Sequence, residues 1–297
     1  MYLTGFADEA AAAIEGQIKA TKELGWNAIE SRNIDGKNIH DITDEEFDAA
    51  AGKLNDAGVK VNCFGSAIAN WAKQVTEPFD SSLEEAKRAI PRMKKLGTKL
   101  VRIMSFAVLK DRAPDDQMED ERFKRVAELV KMFGDEGLTP VHENCMNYGG
   151  MGPAYTLKLV ENVPGLKLVF DTGNPTFSKD RSKEGEPLQS AWEFYQAVKP
   201  HIAYIHIKDG YVGDDGKTVF THAGEGKGDV KKIVKDLLDG GYDGGISMEP
   251  HLAAVYHDPS VTATEEIKYK NYVEYGQRFM KLLAEIGHGD KLGSVHF

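Results

Sequence analysis

The 297-residue chain contains only two cysteines, Cys63 and Cys145. They are too few for a disulfide scaffold and too far apart for a CxxC metal motif, so both are predicted to be free thiols. No apolar run approaches the roughly 18 residues of a membrane-spanning helix. The segment Met1–Leu3 leads into an apparent strand without a basic, hydrophobic leader. These absences predict a cytoplasmic protein with no membrane partner.

Positive charge is also scarce, since 37 basic residues stand against 47 acidic ones and the net charge is −10. A surface that follows a phosphate backbone is therefore not expected, and nucleic acid is disfavoured as a partner. The motif GEGKGD at 224–229 fails the Walker pattern, and it fails GxGxxG because Asp229 stands where the last glycine would be. Nucleotide binding is disfavoured as well. The motif precedes a helix, however, and its backbone N–H groups could bind a phosphate or a sugar hydroxyl.

Strand and helix patterns alternate eight times along the chain, with no long linker between them. Strand ends recur about every 35 residues between positions 7 and 249, which is the size of a βα unit in an eight-stranded parallel barrel. The pattern predicts an α/β fold, a single (β/α)8 TIM barrel over residues 1–297 with 288–297 as a C-terminal tail. An open doubly wound sheet is the less favoured alternative, because no glycine-rich turn follows the first strand.

The expected strands and helices have bounds that the structure can test. Strands are predicted at 2–7, 26–31, 59–65, 99–105, 138–143, 166–171, 202–207 and 244–249. Helices are predicted near 11–24, 43–57, 82–96, 119–136, 153–162, 189–198, 228–239 and 264–286. Two of the helices have apparent capping boxes at their start, formed by Thr43 with Glu46 and by Ser82 with Glu85.

Four side chains of metal-ligand type each end a short apolar run, and they are Glu143, Asp171, His206 and Glu249. In a parallel barrel the strand ends meet at one rim, so these side chains are expected to share one site. Three buried carboxylates need a cation or basic partners to be tolerated. Oxygen-rich ligation favours one divalent metal ion, Mn²⁺ first, with Mg²⁺, Co²⁺ or Zn²⁺ as alternatives.

The motifs around these positions resemble the sugar isomerase/epimerase superfamily, which has a xylose-isomerase-like barrel and includes D-tagatose 3-epimerase. The resemblance extends over nearly the whole chain and rests on GFADE at 5–9, HEN at 142–144, FDTGN at 170–174, HIKD at 206–209, GEGKGD at 224–229 and MEPH at 248–251. It implies that Glu143, Asp171, His206 and Glu249 ligate the metal. It also implies that Glu143 and Glu249 are a catalytic acid/base pair acting on a small carbohydrate.

The chemistry that fits is proton abstraction next to a carbonyl through an enediolate, which makes a sugar epimerase or isomerase the first prediction. The HEN motif also resembles a branch that acts on 3-keto sugars and includes C-glycoside deglycosidases, with a histidine as base. This gives, as the alternative, a 3-keto-glycoside lyase or C-glycoside deglycosidase that uses the same metal site and the same enolisation. His142 is a candidate auxiliary base beside Glu143 and Glu249. In a regular strand the side chain of His142 would point into the helix layer. A β-bulge at the strand end would turn it toward the barrel axis instead. A second alternative is a non-catalytic sugar-binding barrel.

Further polar residues near the strand ends are candidates for substrate binding, namely Lys208, Arg102, Glu30, Asn144, Asn174 and His251. Arg102 is equally well explained as an ion-pair partner of Glu30. Asn174 stands where D-tagatose 3-epimerase-like proteins and apurinic endonucleases usually have the histidine of DxxH, which argues against a multinuclear endonuclease site. Asp209 is expected to be a solvated loop charge and 210–220 a surface hairpin. Loops 106–118 and 175–187 are expected on the catalytic face. The sequence allows either role for them, as lids over the site or as contacts in a homo-oligomer.

Overall fold

The structure is a computed structural model that describes residues 1–253 and 263–289. Its sheet contains eight strands, β1 Tyr2–Gly5, β2 Ala28–Ser31, β3 Lys60–Phe64, β4 Leu100–Ile103, β5 Thr139–Glu143, β6 Lys167–Asp171, β7 Ile202–Ile207 and β8 Gly245–Met248. The principal helices follow them in turn, α1 Ile14–Glu23, α2 Asp44–Ala57, α3 Asp80–Leu96, α4 Glu119–Asp135, α5 Pro153–Asn162, α6 Ala191–Val198, α7 Val230–Asp239 and α8 Glu265–Glu285. The predicted tail from residue 290 onward lies outside the described residues.

The eight strands form a nearly closed barrel of parallel pairs. Each strand from β2 to β7 pairs with the next strand along the chain. The last strand, β8, also pairs with β1. A parallel bridge between Phe6 and Glu30 joins the ends of β1 and β2. This topology confirms the predicted TIM barrel and excludes an open doubly wound sheet, whose strand order would reverse at one point.

The helix starts show which local signals were correct. The capping box of α2 is confirmed, since Thr43 Oγ1 accepts from Glu46 N–H and the Glu46 carboxylate accepts from Thr43 N–H. The predicted box at Ser82 is wrong. Helix α3 begins at Asp80, and Ser82 already donates its backbone N–H to the carbonyl of Phe79. Ser82 is therefore buried in the first turn and does not cap it.

Alternation along the strands arranges the barrel interior in layers. Cys63, Val141, Val169 and Tyr204 pack together as one buried cluster. Two positions further along β5, β6 and β7 stand Glu143, Asp171 and His206. Because side chains two apart on a strand share a face, these three lie in the layer above the cluster, at the carboxyl rim.

Both cysteines are free and buried, as predicted. Across residues 1–253 and 263–289, no helix combines the length and the apolar character that crossing a bilayer requires.

Candidate metal centre and active site

The four predicted ligand residues come together at the carboxyl end of the barrel. Glu143, Asp171, His206 and Glu249 each place one ligand atom within 4.8 Å of the others. All four are at most 3% exposed. Glu143 Oε1 lies 3.3 Å from His206 Nδ1. The convergence agrees with the expectation that strand ends five to eight share one site.

Basic side chains compensate the three carboxylates of this cluster. Arg102 donates to Glu143 Oε2 at 3.0 Å. Lys208 Nζ lies 2.6 Å from Glu249 Oε2 and 3.2 Å from Asp171 Oδ2. Arg32 donates to Glu249 Oε1 at 2.9 Å, and its Nε donates to Asp8 at 2.8 Å. Charge repulsion alone therefore does not demand a metal here, because Arg32, Arg102 and Lys208 supply the opposing charge.

The donor atoms nevertheless fit a divalent cation. Asp171 Oδ2 is buried and accepts no hydrogen bond from the described part of the chain, although Lys208 lies at ion-pair distance. The other oxygen, Oδ1, accepts from the N–H groups of Gly173 and Asn174 at 2.9 and 2.6 Å. Three carboxylates and one imidazole are a donor set suited to a divalent ion of the Mn²⁺, Mg²⁺ or Zn²⁺ kind. These four residues could hold one such ion.

The pKa values of the cluster reflect burial and its charged neighbours. Burial raises the pKa of Glu143, but Arg102 and His206 outweigh it and lower this pKa to about 2. Burial raises the pKa of Asp171 to about 6, against the effect of Lys208. Burial lowers the pKa of His206, but Glu30 and Glu143 outweigh it and raise this pKa to about 10. A metal at His206 Nδ1 would therefore compete with a proton.

Two residues predicted to bind substrate instead orient the cluster. Glu30 is fully buried and lies 3.0 Å from His206 Nε2, and it also accepts from the Tyr204 hydroxyl at 2.9 Å. Asn144 Oδ1 accepts from the Asp171 N–H at 2.7 Å, and its Nδ2 donates to the Asp171 carbonyl at 3.0 Å. Glu30 thus fixes the ring of His206, and Asn144 ties the end of β5 to that of β6.

His142 points away from the cluster. Its Nε2 lies 2.9 Å from Ser105 Oγ, and its ring adjoins a small void beside Thr156 and Phe194, in the layer between sheet and helices. Burial lowers the pKa of His142 to about 4. The orientation is that of a regular strand without the bulge that would turn the ring inward. The assignment of His142 as a base stays a prediction, and this geometry does not support it.

A cavity of about 190 Å³ opens above the cluster. Four of the predicted substrate-binding residues line it, namely Arg102, Asn174, Lys208 and His251. Several other residues of its wall were not predicted from the sequence to belong to the site: Arg32, Trp71, Cys145, Met146, Phe177 and Phe220.

The hairpin Asp209–Val212 with Thr218–Thr221 forms part of this wall, which corrects its interpretation as surface decoration. The Phe220 ring meets His251 edge-on at 5.0 Å and Phe177 at 5.2 Å between ring centroids. Phe177 ends the short helix Asn174–Phe177, which begins the loop after β6. The hairpin and that loop together cover one side of the cavity.

Residues 18–274 match the family model described as the xylose isomerase-like TIM barrel. The chain belongs to this family. No curated protein matches the sequence.

Solved structures similar to this xylose isomerase-like barrel span almost its whole length. A xylose isomerase-like TIM barrel protein from Mycobacterium smegmatis in complex with magnesium is 17% identical, with a TM-score of 0.67, covering 95% of this chain and 97% of that one. A D-tagatose 3-epimerase-like protein is 16% identical, with a TM-score of 0.69 and coverages of 96% and 98%. A D-allulose 3-epimerase from Methylomonas sp. in complex with D-allulose is 16% identical, with a TM-score of 0.66 and coverages of 95% and 96%. At these identities the similarity shows the fold alone.

In this xylose isomerase-like barrel, Asp209 is the centre of a backbone cage and not a solvated charge. Its side chain is buried, and its carboxylate accepts from the N–H groups of Gly224, Gly226 and Gly228 at 2.8, 3.0 and 2.8 Å. A Cβ at Gly226 would lie 2.3 Å from Asp209 Oδ1, so the glycines of GEGKGD permit this close approach. These N–H groups are occupied by the protein's own carboxylate, which corrects the expectation that they remain open to a phosphate.

We expect Asp209→Asn to lower the free energy of unfolding by about 2 kcal/mol, because an amide keeps only one of the two acceptor oxygens and its NH₂ group would face backbone N–H groups. Urea unfolding followed by circular dichroism measures this. Asp215→Asn is the control, since Asp215 lies in the exposed turn of the hairpin and is expected to change stability by less than about 0.5 kcal/mol. Equal effects of the two substitutions would contradict the structural role of the cage.

Proposed function

We propose that this protein is a divalent-metal-dependent sugar epimerase or isomerase that moves a proton on carbon next to a carbonyl. The observation that supports it most is the convergence of Glu143, Asp171, His206 and Glu249 beneath a cavity of about 190 Å³. Membership of the xylose isomerase-like family adds to this support.

The four ligand side chains would hold the ion, for which we propose Mn²⁺ because one imidazole accompanies three carboxylates. When bound, the metal supplies Lewis-acid polarisation of the substrate carbonyl. Arg102, Lys208 and Asn174 line the cavity and present N–H donors to the hydroxyls of a sugar. Gly173 leaves room for Lys208, since a Cβ there would lie 2.7 Å from Lys208 Cγ.

The two glutamates would act on the proton. Interactions with Arg102 and His206 hold the pKa of Glu143 at about 2 despite its burial. For Glu249, Lys208 and Arg32 outweigh burial and lower its pKa well below the usual value. Both side chains are therefore ionised near neutral pH, which is the form that a base and a metal ligand must have. Isomerisation needs one of them, whereas epimerisation needs both because the proton returns to the opposite face.

The 3-keto-glycoside lyase alternative would use the same metal site, and its resemblance included His142 as a base. Because His142 lies in the helix layer and does not line the cavity, the proton-transfer role fits Glu143 and Glu249 better. We therefore propose the epimerase or isomerase reaction first.

The test combines metal content with isotope exchange. Purified protein, supplied with Mn²⁺, is expected to retain about one divalent ion per chain by elemental analysis, and to exchange a C–H proton of a ketose or aldose with solvent deuterium. The double variant Glu143→Gln, Glu249→Gln is expected to lose both properties. A matched double variant of exposed glutamates, Glu45→Gln, Glu266→Gln, is expected to keep them.

Two results would overturn the proposal. Protein that binds no divalent ion after incubation with Mn²⁺ would remove the metal site. Protein that binds the ion and a sugar without any exchange of C–H protons would instead favour the non-catalytic sugar-binding barrel.

A further inference from the structure

The cavity adjoins a groove that the proposed reaction does not use. The groove has a volume of about 710 Å³ and lies between the loop after β3 and the loop after β4. Trp71 and Met146 line both the groove and the cavity, so the two spaces lie side by side at these two side chains. A ligand whose reacting end lies at the four-residue cluster could therefore extend into the groove.

The wall of the groove is held in place by buried hydrogen bonds. Arg122 is fully buried and donates to the carbonyls of Ser105 and Ala107 at 2.6 and 2.7 Å. Gln117 exchanges two hydrogen bonds with the backbone of Leu109, at 2.9 and 3.0 Å. A groove formed before the ligand arrives avoids the entropic cost of ordering loops on binding.

The lining has the two-sided character of a ring-binding site. Trp71, Val108 and Met146 offer apolar contact, and Met146 is 46% exposed. Gln74 and Lys110 add polar groups to the same groove. A sugar ring has an apolar C–H face and a rim of hydroxyls, so it matches an indole beside polar side chains, and an aromatic ring can stack on the indole equally.

We propose that the substrate carries a second ring joined to the sugar at the metal cluster, and that the groove beside Trp71, Val108 and Met146 binds this second ring. The proposal rests on the proposed function, because that function places the reacting sugar in the cavity. It defines the substrate class as a disaccharide or an aryl glycoside whose reacting ring carries a carbonyl, and it assigns to the loop 106–118 the discrimination between these and free monosaccharides.

The experiment measures binding and does not need turnover. Isothermal titration calorimetry with Mn²⁺ present compares glucose with maltose, cellobiose and 4-nitrophenyl β-D-glucoside. At least one two-ring probe is expected to bind about tenfold more tightly than glucose, the size expected for one added stacking contact. A preference for the disaccharides identifies the second ring as a sugar, and a preference for the aryl glycoside identifies it as aromatic.

Variants connect that preference to the groove. Val108→Asp is expected to bring the affinity ratio of two-ring probe to glucose close to one, and Met146→Ala to reduce it about threefold. Ile267→Asp is the control, since Ile267 is 49% exposed on α8, away from the groove. Melting curves establish that each variant is folded, and the exposed position of Met146 keeps the test available if Val108→Asp does not fold.

The proposal is overturned if no two-ring probe binds more tightly than glucose, or if the preference survives in both groove variants. It is also overturned if sedimentation shows a dimer that Val108→Asp dissociates, because a second copy would then cover the groove. Preferential binding without any C–H exchange would leave the groove assignment standing and refute the proposed function, so the two failures are distinguishable.

Discussion

Glu249→Gln is expected to lower the rate of C–H proton exchange by at least about 10³-fold, because it removes one base of the proposed pair and one charged metal ligand together. The side chain is 3% exposed and lies within 2.9 Å of Arg32 and 2.6 Å of Lys208. Glutamine keeps the size of the side chain and removes its negative charge, and melting curves establish that the variant is folded although Arg32 and Lys208 lose a charged partner. Exchange into a sugar substrate, followed by NMR at saturating Mn²⁺, measures the effect.

Two comparisons make this result specific. Glu249→Asp keeps the charge at a shorter reach and is expected to retain more exchange than glutamine does. Glu266→Gln changes an exposed glutamate and is expected to retain full exchange. If Glu249→Gln kept more than about one tenth of the exchange rate, a role for Glu249 in general acid–base catalysis would be ruled out.

Arg122→Met is expected to lower the free energy of unfolding by about 3 kcal/mol, because hydrogen bonds from a charged donor contribute about 1.5–3 kcal/mol each and several buried carbonyls lose their partner at once. Arg122 is fully buried at the start of α4 and donates to the carbonyls of Gln117, Ser105 and Ala107. Methionine fills a similar volume, so the loss would arise from the hydrogen bonds. Equilibrium unfolding in urea measures the difference.

Arg112→Met is the matched control for this prediction. Arg112 lies on the loop 106–118, which Arg122 holds through the carbonyls of Ser105 and Ala107. Its side chain is 38% exposed and forms an ion pair with the exposed Asp116 at 3.3 Å. Such surface pairs contribute about 0–1 kcal/mol, so the control should unfold at nearly the urea concentration of the unmodified protein. Equal destabilisation by both substitutions would show that the hydrogen bonds of Arg122 do not stabilise the loop 106–118 specifically.

The fold could be predicted closely because its signals are local and repeated. The run lengths, the ends of the apolar faces and the recurrence of strand ends all indicated the same barrel, and alternation on β5 was sufficient to place Glu143 inside and His142 outside. Ser82 shows where such signals become ambiguous. In the segment DSSLEE several residues can begin a helix, and packing selects one start among them.

The charge balance of the site could not be predicted in the same way. The pairing of Arg32 with Asp8 and Glu249 joins residues 24 and 217 positions apart, and no periodic pattern encodes such contacts. The sequence indicated Lys208 as a substrate ligand and Arg102 as either a substrate ligand or an ion-pair partner of Glu30. The structure pairs Arg102 with Glu143, and Lys208 with Asp171 and Glu249. The same is true of Asp209, because its cage forms only when the glycine loop folds back over β7.

The ion pairs around the cluster also affect whether a metal must bind before or after the chain folds. Glu143, Asp171 and Glu249 each have a basic neighbour within 3.2 Å. With these basic neighbours the site is charge-balanced without a metal. A newly synthesised chain could therefore fold first and bind a divalent ion afterwards. A cluster without these neighbours would have to capture its ion while the barrel was closing.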